Sequence, residues 1–494
     1  MFRRLAAGLP KDAVYPADMK ELGYFIAPND EIRSIENPKA YFKFFLTKND
    51  RYNCMQREAM NEVIRKLIAQ RLSSLGLGPL LLPLGATLQQ PHLPIYMSGD
   101  IATKKRVIVL FYEHTQDIGV LAHRIIGGKG GINEGSVINL VKYIKAQKSF
   151  PDNDECPGII LANMGQLRWS RRLNRAMTQT SWLALPQKTA VEPPFRFDAE
   201  KNSIPENRDA AQHVNYIFNK VIDEYCDPAA KINVIGVSEG AVKFAEFMDD
   251  FANFGKWGSR VTAFAALATY YHAGDMRNAD FGKWLDERGR AYFVSDEPCG
   301  QFLAGPQGTK RIPAHGCPCF SLNEPYYSEL MLPKGYKTVI DWFNEVSAVA
   351  EYMNPEFKTV TIGGEGDDGV DGGLRRWEED VEPGSEWKAH EVPEKSEGEA
   401  EGAQLLDSEK DVEAEKGIKE EKGIKEEKGS DSDKENLKPK SADFQSIQIA
   451  IRGSIDKAKA GNTTGRVAGG GKMTNGNGTD QTEEVEVSHH DTVD

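Results

Sequence analysis

The chain has 494 residues, 40% of them hydrophobic, and carries 61 Lys and Arg against 74 Asp and Glu for a formal charge of -13. That acidic balance argues against a general grip on nucleic-acid phosphates, which takes clustered cationic side chains. Six scattered cysteines exclude a disulfide scaffold, too few apolar residues follow the opening Met-Phe-Arg-Arg for a secretory signal, and the most apolar run, near Leu75 to Leu84, is too short and too broken by Gly and Pro to span a membrane. The expected setting is intracellular, in nucleus or cytoplasm.

Residues 1–34 read as an N-terminal extension and 35–355 as the folded domain. Within it a helix-like stretch, Gln56 to Arg71, precedes short β-branched runs at Pro94 to Met97, Val107 to Tyr112, Gly158 to Asn163, Ile232 to Val237, Val261 to Ala268, Ala291 to Ser295 and Cys317 to Leu322. Helical spacing of apolar residues marks Ile118 to Ile126, Ser136 to Ala146, Asp209 to Tyr225, Ala241 to Phe254 and Lys337 to Tyr352. Continuous apolar strands alternating with amphipathic segments predict an α/β fold, a mostly parallel sheet with helices on both faces.

Between Met164 and Asn207 no period is clear, and insertions of this length are where ligand or partner surfaces tend to sit. The cluster Arg168, Arg171, Arg172 and Arg175 falls here and reads as a solvated face, with a small-RNA phosphate contact as the weaker alternative. Cys317-Pro-Cys319 has the wrong spacing for a zinc or redox motif and reads as buried strand cysteines, so neither metal nor cofactor is expected.

The segment Gly236-Val237-Ser238-Glu239-Gly240 has the form of a nucleophile elbow, with an apolar β-branched run before it and a helical pattern after it. Its glycines allow the sharp turn that exposes Ser238 at the carboxyl end of a strand, and the Glu239 N–H would be an oxyanion donor. A hydrolase on such a sheet orders its triad as serine, acid, histidine along the chain. Asp296 and Glu297 fit the acid, with Asp275 a second candidate. His315 follows in the right order but precedes the last strand, which places it at that strand's amino end. The loop after that strand, Asn323 to Glu329, holds no histidine. His114, just past Val107 to Tyr112, can approach the same crevice from the opposite side. Without a base in reach a serine hydroxyl is a poor nucleophile. The residues therefore favour a binding module over a working serine hydrolase of esterase or amidase type.

From about 356 the chain turns rich in Glu, Lys, Gly and Ser, and Lys-Gly-Ile-Lys-Glu-Glu repeats in tandem from Lys416 and Lys422. Such a segment cannot bury enough apolar surface to order itself, so 356–494 reads as a disordered acidic tail. Within it Phe444, Ile447, Ile451 and Ile455 suggest a short helix over 441–460.

Several of these stretches together resemble one family. Lys48-Asn49-Asp50-Arg51-Tyr52-Asn53, the helix-like Gln56 to Arg71, Ala162-Asn163-Met164-Gly165-Gln166-Leu167, Ser181-Trp182-Leu183-Ala184-Leu185-Pro186 and the Ser238 elbow are similar to the fungal Argonaute-binding protein 2 domain, a relative of which is appended to fungal class II histone deacetylases. The resemblance covers roughly 35 to 352. It implies an α/β-hydrolase-like fold used for protein association, with Argonaute or chromatin-silencing components as partners, rather than for an established reaction.

Overall fold

In the computed structural model, which describes residues 8–303 and 315–355, the apolar runs assemble into one eight-stranded sheet. Two antiparallel pairs stand outside it: β1 (Tyr24–Ile26) with β2 (Ile32–Ser34), and β7 (Arg168–Ser170) with β8 (Arg175–Met177). The large sheet contains β3 (Leu77–Leu82), β4 (Leu93–Ser98), β5 (Arg106–Phe111), β6 (Gly158–Leu161), β9 (Lys231–Val237), β10 (Val261–Leu267), β11 (Gly289–Phe293) and β12 (Cys319–Ser321). Their spatial order is β3-β4-β6-β5-β9-β10-β11-β12. Only β4 runs against its neighbours; every other pairing is parallel. This is the α/β-hydrolase arrangement, with the elbow strand β9 near the middle.

The strands read as continuous apolar runs because both faces are covered. Alternate residues of β5 serve two cores: Val107, Val109 and Phe111 face one, Ile108 and Leu110 the other. Helix Glu239–Asp249 closes the first core with Ala241, Phe244 and Met248, where the Phe244 ring lies 6.3 Å from Phe111 and 5.7 Å from Phe218. Helices Asp50–Ser74 and Ser328–Ala348 close the second.

Some elements differ from their sequence-based expectation. The Leu75 to Leu84 run contains the edge strand β3. Helix Ala279–Arg288 went unpredicted, and the last helix begins at Ser328, ahead of Pro333. The Ile118 to Ile126 helix shrinks to His123–Ile126, because Gly119 takes a φ of +84° and the amides of Leu121 and Ala122 both donate to the Gly135 carbonyl. Residues 8–34, expected as an extension, are built into the domain. Tyr24 and Ile32 are buried in the second core, and Asp30 pairs with Arg71 at 2.7 Å. Arg51, in the motif beginning Lys48, grips the Asp12 carboxylate with two donors at 2.9 and 2.6 Å and donates to the carbonyls of Leu183 and Leu185. The acidic stretch and the 441–460 helix lie outside the described residues. Among the described residues no helix is long and apolar enough to cross a membrane.

Candidate functional site

Ser238 sits where β9 ends and helix Glu239–Asp249 begins, with φ 52° and ψ -118°. A non-glycine residue in that region is strained by about 1–3 kcal/mol. The turn is held by the Ser238 amide donating to the Leu267 carbonyl at 2.9 Å and by its own carbonyl accepting from Ala241 and Val242. The two flanking glycines are required by space. A Cβ on Gly236 would lie 2.5 Å from the Ala241 Cα, and one on Gly240 only 2.2 Å from the Phe111 carbonyl oxygen. The geometry is that of a nucleophile elbow. Ser238 is half-buried, and its hydroxyl has no hydrogen-bond partner among the described residues.

Glu239, the residue after the serine, begins the helix, so its N–H has no intrahelical acceptor. Its carboxylate accepts from the Tyr270 hydroxyl and lies 3.8 Å from the Lys243 ammonium. Both partners draw off the negative charge that would oppose an oxyanion.

Asp296 follows β11, is exposed and makes no hydrogen bond to a described residue. Asp275 is also exposed, in a 3-10 turn after β10 that His272 caps through its Nδ1. Neither carboxylate meets an imidazole. The base position follows β12, and there the chain places Glu324. Its side chain is 2% exposed, with Oε1 accepting from the amides of Tyr326 (2.8 Å) and Tyr327 (2.9 Å) and Oε2 lying 2.5 Å from the Lys334 ammonium. Burial raises this carboxyl's pKa, but Lys334 and the two amides outweigh burial and hold it below the usual range.

His315 precedes β12 in the chain, yet its ring packs at 4.4 Å on Phe293, the last residue of β11. The ring is therefore nearer the carboxyl edge than its place in the sequence suggested. Its Nδ1 is buried without a partner, and burial followed by the nearby His272 lowers its pKa. No hydrogen bond joins it to Ser238 or Asp296. His114 is exposed, makes no hydrogen bond to a described residue, and shares with Glu239 a cleft of about 360 Å³ beside the elbow. Met164, Arg168, Phe197 and Arg208 also line that cleft.

The arginine cluster does not act as one patch. Arg175 pairs with Glu58 and Glu62, Arg172 stacks on Phe195, Arg168 stacks on Phe197, and Arg171 stands exposed. Cys317 and Cys319 are buried thiols, and among the described residues no cluster of ligating side chains could hold a metal.

Sequence reading missed a polar network just past the carboxyl end of β6. Asn163 binds Gln166, Gln166 donates to Asp117 at 2.7 Å, Asp117 accepts from Arg65 at 2.8 Å, and Arg65 reaches Glu58, which accepts from the Ser181 hydroxyl at 2.9 Å. His213 is fully buried between Asn207 at Nδ1 and the Asn163 amide at Nε2, and burial drives its pKa down to about 3. The Asn163, Gln166 and Ser181 motifs are thus internal scaffolding. Only the polar residues in otherwise apolar surroundings could have signalled this.

Strand order, elbow and cleft together define an α/β-hydrolase-like domain that keeps the serine turn and has no histidine in the loop after its last strand. Within that class the chain belongs to the Arb2 domain family, which it matches over residues 15–299. Solved structures similar to it include a histone deacetylase from Saccharomyces cerevisiae, at 11% identity and a TM-score of 0.34 over 57% of this chain and 96% of that one. A carboxylesterase from Mesorhizobium loti aligns at 14% identity and a TM-score of 0.26, over 54% of this chain and 98% of that one. The esterase LipW from Mycobacterium marinum aligns at 11% identity and a TM-score of 0.25, over 51% and 73%. No protein of curated function matches the chain.

Proposed function

We propose that this chain is a non-catalytic, hydrolase-like module that associates with another protein, the elbow being kept for its shape. The observation that carries the reading is Glu324. It occupies the loop that should supply the base, and its oxygens are taken up by two backbone amides and Lys334. Acyl transfer by a serine needs a base within hydrogen-bond reach. Exposed aromatics on the same edge of the sheet support a binding role: Tyr270 after β10 is 60% exposed, and Tyr326 and Tyr327 after β12 are 79% and 42% exposed. Tyrosines of this kind anchor protein interfaces. The resemblance to the Argonaute-binding protein 2 domain favours a partner in a small-RNA or heterochromatin-silencing assembly, in nucleus or cytoplasm.

The second reading is a serine hydrolase with Ser238 as nucleophile, Asp296 as orienter and His315 or His114 as base. It is favoured by the strained turn with its free hydroxyl and by the cleft that His114 shares with Glu239. Treatment of the folded full-length protein with a fluorophosphonate probe separates the two. The association reading expects no label that depends on Ser238. Labelling of the native protein that disappears in Ser238→Ala overturns it in favour of the hydrolase.

A further inference from the structure

We propose that the cleft beside Ser238 is a binding site for a carboxylate carried on an apolar group. This deepens the association reading by naming the chemistry of what enters the site. At about 360 Å³ the cleft lies within the range of small-ligand pockets, roughly 300–1,000 Å³. Two of its walls are guanidinium groups without a carboxylate. Arg208 is exposed, and its side chain makes no ion pair or hydrogen bond with a described residue. Arg168 donates only to the Gln179 amide oxygen at 3.3 Å and stacks 4.7 Å over the Phe197 ring. The His114 imidazole faces the same space. The one acid there, Glu239, is already engaged by Tyr270 and Lys243, so the cleft is left with an excess of cationic donors.

A guanidinium fork matches a carboxylate with two parallel hydrogen bonds. The remaining wall, Met164 and Phe197, gains by covering hydrocarbon. A phosphate dianion fits less well, because nothing in a bare phosphate covers the apolar wall. A free acid and an acidic side chain of a partner offer the same chemistry.

The test is calorimetric titration of the full-length protein with hexanoate, neutral hexanamide and inorganic phosphate, and with a pair of short leucine-rich peptides differing by Glu or Gln. Hexanoate or the Glu peptide is expected to bind with a Kd of about 1 mM or tighter and at least about tenfold better than its neutral counterpart and than phosphate. Arg208→Gln and Arg168→Gln are each expected to weaken it about tenfold, while Arg171→Gln, exposed and outside the cleft, leaves it unchanged. Whichever carboxylate binds more tightly identifies the source. Equal binding of acid and amide in both pairs overturns the proposal. So does an Arg208→Gln protein that keeps its fold and its affinity. Fluorophosphonate labelling of Ser238 with hexanoate binding intact would overturn the non-catalytic reading alone.

Discussion

The Ser295 amide donates to the Glu324 carbonyl at 2.8 Å, stitching the loop after β11 to the loop after β12. The two loops that would present the acid and the base of a triad are thus fastened to each other, and the anchoring residue is a glutamate. Loss of the Glu324 carboxylate should loosen both. Glu324→Gln keeps the shape but leaves Lys334 without its ion pair, and Lys334 is partly exposed, so the expected loss is about 1–3 kcal/mol. Urea unfolding measures it. Because the Glu324 carboxyl lies below its ordinary value, its contribution is complete above about pH 4.3 and is lost as the pH falls through the lower folded value. In Glu324→Gln that acid-limb loss should shrink.

At the elbow, space and strain predict opposite outcomes for neighbouring residues. Gly240→Ala drives a methyl into the Phe111 carbonyl and is expected to cost more than about 3 kcal/mol or prevent folding. Ser238→Gly relieves a strained φ and should be neutral or stabilising by up to about 1 kcal/mol. Ser238→Ala should stay within about 0.5 kcal/mol, since the hydroxyl has no partner to lose. Thermal melts of the three variants rank them, and a marked loss in Ser238→Ala would reveal a bond that the geometry does not contain.

Two histidines, the buried His213 and the half-buried His123, contribute to the acid limb of stability. Burial lowers His213 to about 3 and His123 to about 4, so both stay neutral in the folded chain and take up protons on unfolding. The unfolded state binds more protons below about pH 6.5, so stability is complete above that value and falls as the pH drops towards 4. Each histidine contributes a slope approaching about 1.4 kcal/mol per pH unit. His213→Gln should flatten the slope by about one proton, which denaturant titrations at several pH values would detect.

The polar network past the carboxyl end of β6 is the fourth target. Asp117→Ala leaves Arg65 with Glu58 but takes one acceptor from its guanidinium and one from the Gln166 amide, for an expected loss of about 1–3 kcal/mol. Hydrogen exchange should show the loosening first at Asn163 to Gln166. Unchanged protection there would mean that the network holds without its central carboxylate.

The sheet was legible because each buried strand spends its residues on two apolar cores, as Val107 to Phe111 do, and a run of β-branched residues leaves little choice of structure. The elbow was legible because Gly236 and Gly240 have no sterically tolerable replacement. Helix Ala279–Arg288 was not, since charged residues break its apolar stripe and its face is set by contacts with the sheet. The site was half legible: Asn323 to Glu329 showed no histidine, but nothing local announced that Glu324 would turn inward to Lys334, ten residues further on. The polar network joins Glu58 to Ser181, 123 residues apart, and such a pairing leaves no local pattern.

The clamp between Asp12 and Arg51 bears on how the domain is delimited. The family match begins at residue 15, three positions after the carboxylate that holds the Arg51 fork in place. A fragment cut at that border retains every aligned residue yet strands a cation at the start of the helix Asp50–Ser74, beside the carbonyls of Leu183 and Leu185. Boundaries drawn by similarity here pass through an electrostatic latch, and the working unit starts earlier than its shared sequence does.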